Sequence, residues 1–266
     1  MVHAELKALA AVLGDLEPTA PTACAEWTVH DLVAHLAAGA KETAELVEEH
    51  LAGQPARPTR GSGRHRERPF RALAHDELLV ALADQSRRKL AALDALADRD
   101  DHDAVAFTGT TMTGAQFQTH ARSEAALHRW DLVGDDDLSH QLLGQPELTR
   151  HAVAVLNAMP VLDESARIRQ SPEPRRIVLT SPGQPNVVIE ARPAGARFEL
   201  VEEPAVPDRD GPATGDIVLA TDAANRLLIL WGRRSSQRRL TIETDGLGFG
   251  TIEPVLWPAA IPWPPT

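Results

Sequence analysis

The apolar residues of this chain change their period at Pro160. Before it they recur every three or four positions, the spacing that lays one face of a helix against a core. After it they alternate, as they do on strands with one face covered. A chain of 266 residues with that switch is long enough to bury a core in each part. The reading is a helical bundle over residues 1–160 followed by a small α+β domain over residues 174–266, with the boundary in residues 160–174.

The first part resolves into segments. Residues 3–15 repeat Leu6, Leu9, Ala10 and Leu13. Thr28 with Asp31 three positions on is a capping-box start, and the helix it opens runs to Gly53, with Leu32, His35, Leu36, Gly39 and Ala40 on one stripe. The Pro-, Gly- and Arg-rich stretch 54–72 reads as loop. Helices follow over 75–97, carried by Leu78, Leu79, Leu82, Leu90, Leu93 and Leu96, and over 113–133, carried by Phe117, Ala121, Ala125, Leu127 and Leu132. A shorter one over 147–160 closes the helical part. Beyond it, strands are read at 175–181, 186–193, 196–203, 216–222 and 238–245, with one helix at 221–234 among them.

Composition excludes several classes. Lys and Arg total 27 against 38 Asp and Glu, a formal net charge of −11, which argues against a surface built for nucleic acid. No window holds enough consecutive apolar residues to span a bilayer, so no membrane association is expected. The N-terminus has acids within its apolar stretch and no basic start, unlike a signal peptide, and the single cysteine, Cys24, suits a reducing compartment; the expectation is a cytoplasmic protein. All eleven histidines lie between His3 and His151, so imidazole chemistry is confined to the helical part.

The informative segment is EAALHRWD (124–131). Glu124 and His128 are four apart on a helix and share a face, a separation that suits two ligands of one metal ion. His35, on the apolar stripe of the second helix, is the natural third ligand from a neighbouring helix. On residues alone, a solvated Glu–His pair and a hydrogen-bonded core histidine account for the same pattern. His120, one turn before Glu124, shares its face and is an alternative ligand, whereas His30 and His50 do not stack on His35 and are expected to be exposed. Asp131 is suited either to orient a ligand histidine or to make a helix-end contact; Trp130 reads as packing and Cys24 as a small buried residue. The arginines 57, 60, 64, 66, 68 and 71 read as a solvated loop, with capture of an acidic substrate or of a thiol cofactor's carboxylate as the alternative.

WTVHDLVAHLA (27–37) with EAALHRWD (124–131) resembles the DinB/YfiT-like bundle, and more narrowly the actinobacterial mycothiol-dependent maleylpyruvate isomerase-like family. The segment DAANRLLILWGR (222–233) is similar to the helix of the sterol-carrier-like domain that often ends such chains. The resemblance implies a DinB-like four-helix bundle with a small α+β domain, and a divalent metal, typically zinc, held by His35, Glu124 and His128. It further implies mycothiol as a cofactor, bound to the metal as thiolate, and a small electrophilic substrate that is isomerised or S-conjugated. Arg233, in the matching W-G-R, is implied as a catalytic candidate from the second domain. Two alternatives share the residues: a metal-dependent hydrolase on the same ligands, and a non-catalytic ligand-binding protein. Monomer and dimer are both compatible with the sequence.

Overall fold

In the computed structural model, residues 3–24, 27–57, 63–99, 102–107, 110–158, 175–192, 195–202 and 217–233 are described. They form two compact units, one ending at Asp135 and the other beginning at Asp136.

The first unit contains α1 (Ala4–Leu13), α2 (Val29–Leu51), α3 (Gly63–Arg71), α4 (His75–Ala97), β1 (Ala104–Phe107), β2 (Thr110–Thr113) and α5 (Gly114–Val133). Helices α1, α2, α4 and α5 make the bundle: α2 packs on α4, α1 on α5, and α4 on α5. The core joins Leu9 and Leu13 of α1, Val29, Val33, Ala34 and Ala37 of α2, Leu78 of α4 and Ala125 of α5. Small residues along α2 let its neighbours approach closely.

Helix α2 begins as its sequence dictates. The Thr28 side chain accepts from the backbone N–H of Asp31 at 3.2 Å, and Asp31 Oδ2 accepts from the Thr28 N–H at 3.0 Å. A cap of this kind contributes about 1 kcal/mol. Past Ala52, Gly53 takes φ +71°, a left-handed conformation that ends the helix at little cost to a residue without Cβ. Helix α5 starts with a second capping box between Thr113 and Gln116.

Two features of this unit depart from the reading of the sequence. The Arg-rich stretch 54–72 is not wholly loop: Gly63–Arg71 is helical and packs on α2. Apolar periodicity had no purchase on GRHRERPFR, whose order comes from charge pairs with another helix. Strands β1 and β2 pair antiparallel, with Val105 opposite Met112, and β2 leads directly into α5.

The second unit contains α6 (Asp137–Leu143), α7 (Pro146–Ala158), β3 (Arg175–Ser181), β4 (Gln184–Arg192), β5 (Gly195–Val201), β6 (Ile217–Ala220) and α8 (Ala223–Leu230). The sheet runs β5-β4-β3-β6, antiparallel except for the parallel β3–β6 pair. Residues 177–179 and 187–189 are buried without alternation, so both faces of the central strands are covered. Gly183, at φ +71°, supplies the tight turn between β3 and β4. Helix α8 packs on α6, α7 and β3, and α7 on β5.

The division after Asp135 thus falls earlier than residues 160–174, because α6 and α7 have a helical period but spend their apolar faces on the second unit. The strand read at 238–245 lies outside the described residues. Among the described residues no helix is long and apolar enough to cross a membrane.

Candidate metal centre

Helices α2 and α5 bring His35, Glu124 and His128 together: one ligating atom of each lies within 4.8 Å of the other two. The two imidazole rings meet edge-on with centroids 5.3 Å apart, and His128 Nε2 stands 3.4 Å from Glu124 Oε2. Donors about 2.1 Å from a tetrahedrally bound cation stand about 3.4 Å apart, so the pair on α5 already has the required spacing. Side-chain exposure grades across the trio, from 3% for His128 and 13% for His35 to 34% for Glu124. The centre is sunk in the bundle and open on the glutamate side.

Each imidazole is turned by its own carboxylate. His128 donates through Nδ1 to Asp131 Oδ2 at 2.9 Å, and His35 through Nδ1 to Glu67 Oε1 at 2.8 Å. A carboxylate only accepts, so a neutral ring carries its proton on Nδ1 and keeps a lone pair on Nε2. That is the arrangement in which histidine binds a cation. The donor set of two imidazole nitrogens and one carboxylate oxygen suits zinc, and also iron or nickel.

The electrostatics differ between the rings. Burial lowers His35, and the opposing pull of Glu67 does not restore it to the ordinary histidine value. Burial also acts to lower His128, but the bonds to Asp131 and Glu124 outweigh it and hold the ring above that value. For Glu67, burial acts to raise the carboxyl, while His35 and the Arg71 guanidinium overcome this and keep it low.

Other residues singled out from the sequence fall into place around this centre. His120 is half-buried, edge-on to Phe107 with centroids 5.3 Å apart, and lowered chiefly by burial. Asp131 orients His128 rather than His35. Trp130 is buried, and its indole N–H donates to Asp135 Oδ1 at 2.9 Å. Cys24 is buried. His30 and His50 are not exposed as expected: His30 lies 3.3 Å from His75 through Nδ1 and 3.2 Å from the Arg71 carbonyl, and His50 is 2.6 Å from Asp103.

The arginine cluster divides. Arg57 is held by Glu42 at 2.8 Å and Glu49 at 2.6 Å, and Arg71 by Glu67 and Asp31, so both serve the frame rather than an open anion site. Arg68 is exposed, as a solvated residue should be, and Arg60 and the Arg64 side chain lie outside the described residues. Arg233, beyond the end of α8 in the second unit, approaches the Trp231 carbonyl at 3.4 Å.

Two residues near the trio were missed. Glu67 sits in the stretch read as loop. Lys89 of α4 is half-buried, and burial lowers its ammonium against the opposing charge of Glu124. Its signal was present: one of three lysines in the chain, it falls on the apolar stripe between Leu82 and Leu93.

Comparison with known proteins bears on the family and the fold. The sequence model of the mycothiol maleylpyruvate isomerase N-terminal domain family matches residues 1–133. Two crystal structures of mycothiol-dependent maleylpyruvate isomerase, one of them a histidine-to-alanine mutant, each align with a TM-score of 0.60 at 15% identity, covering 87% of this chain and 86% of theirs. At that identity the likeness is one of fold. No curated protein matches the chain in sequence.

Proposed function

The chain belongs to the family of the mycothiol maleylpyruvate isomerase N-terminal domain, and from that premise we propose that it is a mycothiol-dependent enzyme that isomerises, or joins to the thiol, a small electrophilic substrate. The observation that carries the reading is the convergence of His35, Glu124 and His128 with both histidine Nδ1 atoms already engaged by carboxylates.

These three side chains are the residues that would hold a divalent cation, with a donor set that suits zinc and also iron or nickel. When bound, such a cation supplies the positive charge that brings a thiol into its thiolate form at neutral pH. The chain's own residues do the rest. Asp131 and Glu67 keep the two rings from turning, Glu124 contributes the one anionic ligand, and the buried walls from α2 and α5 limit water at the centre. Burial lowers His120, which disfavours a positive charge on its ring beside Glu124. A thiol held beside the cation would supply the nucleophile for reversible addition to an activated double bond, the chemistry that interconverts geometric isomers, or for lasting S-conjugation.

The test is turnover of maleylpyruvate by the purified chain with and without mycothiol. The expected result is isomerisation that requires the thiol and falls by at least about 10²-fold in His128→Ala, the scale on which loss of a group that stabilises developing charge is felt. Turnover that proceeds equally without thiol identifies the metal-dependent hydrolase instead. Arg233→Ala tests the role carried over to that residue: a loss of turnover with unchanged metal content supports it.

A further inference from the structure

Glu67 has a side-chain exposure of 1%, and both of its oxygens are committed. Oε1 accepts from His35 Nδ1 at 2.8 Å; Oε2 accepts from Arg71 Nη2 at 2.9 Å and Nε at 3.3 Å. Arg71 also donates to Asp31, the capping-box residue of α2, and its guanidinium carbon lies 5.7 Å from the centre of the Trp27 ring. That ring in turn stands 5.0 Å from His35, centroid to centroid. The contacts close a circuit: the start of α2 anchors Arg71, Arg71 fixes Glu67, and Glu67 reaches back to a histidine two turns into α2.

A carboxylate this deep is costly to bury unless it is paired and hydrogen-bonded, and here the guanidinium supplies the compensating charge. Asp131 reaches His128 from the same helix, one turn on, whereas the partner of His35 comes from a different element. His35 therefore depends on the docking of α3 for its orientation in a way that His128 does not.

We propose that Glu67 is the positioning residue of the His35 ligand: delivered by α3 and held by Arg71, it fixes the ring with its proton on Nδ1 and its Nε2 lone pair toward Glu124 and His128. The segment 63–71 is then a working part of the metal centre. The inference rests on the reading that His35, Glu124 and His128 hold a divalent cation, and it assigns Glu67 no contact with substrate.

Zinc affinity of the full chain, measured by competition with a chromophoric chelator, separates this inference from its premise. Wild type is expected to bind one zinc, His128→Ala to lose it, and Glu67→Gln to bind about 10–100-fold more weakly. If wild type binds no zinc, the premise fails and the inference with it. If wild type and Glu67→Gln bind equally tightly while His128→Ala does not bind, the premise stands and the inference is overturned. A second measurement needs no variant. Nitrogen-15 shifts of His35 in the metal-free wild type are expected to show the Nδ1–H tautomer, a feature that a merely structural role for Glu67 elsewhere in α3 does not dictate. An Nε2–H ring there overturns the inference.

Discussion

Burial and charge act on single side chains throughout the first unit, and the pair His30–His75 shows the consequence most simply. Their Nδ1 atoms stand 3.3 Å apart between the starts of α2 and α4, so one of the two must donate and the other accept. Burial first, and the neighbouring His30 second, lower His75 below the ordinary histidine value of 6.5. A base lowered in the folded state binds its proton more readily when unfolded. Stability therefore rises with pH across the interval between the two values, and acidification from 7 through 6.5 erodes it. The melting temperature is expected to fall over that interval, and to fall less in His75→Gln; a variant that melts with the same pH profile as wild type removes His75 from the account. At this scale the trio His35, Glu124 and His128 was legible as a cluster, because two of them share one helix face and the third sits on an apolar stripe where a histidine is conspicuous. Glu67 was not, because nothing local distinguishes it from the other charged residues of GRHRERPFR. Its role is set by His35 and Arg71, and the histidine is 32 residues away in sequence.

Among the elements, the junction of α4 and α5 shows how closely the frame of the centre is fitted. A Cβ placed on Gly114, the first residue of α5, meets the backbone of Ala97 at 2.7 Å, and the Ala97 backbone at the end of α4 has no flexible side chain to yield. Gly114→Ala is expected to destabilise the protein by about 1–3 kcal/mol, the usual cost of overpacking, and denaturant unfolding reads it as a lower midpoint at unchanged slope. A neutral result shows that the helix ends part freely. The periodicity of α1, α2, α4 and α5 was readable because each buries an apolar stripe. The pair β1–β2 was not, since its strands are four residues each. Helix α7 was read as a helix but grouped with the bundle, because a period identifies a helix and leaves its packing partner unspecified; α6 was not read, since its seven residues are too short to show a period.

For the whole molecule, the change of period at Pro160 captured the order of a helical unit followed by one built on a sheet, and the motif at 222–233 marked α8 and its start at Asp222. Where the units divide depends on long-range packing that no window of sequence contains. The candidate centre lies within the first unit, its trio coming from α2 and α5 and the carboxylates that hold the rings from α3 and α5. The proposed chemistry requires that these residues bind a cation rather than merely one another. Metal analysis of the chain, purified without chelator, tests it most directly: about one equivalent of divalent metal per chain in wild type, and essentially none in His128→Ala, is the expected result. Wild-type content well below one equivalent that His128→Ala leaves unchanged contradicts it.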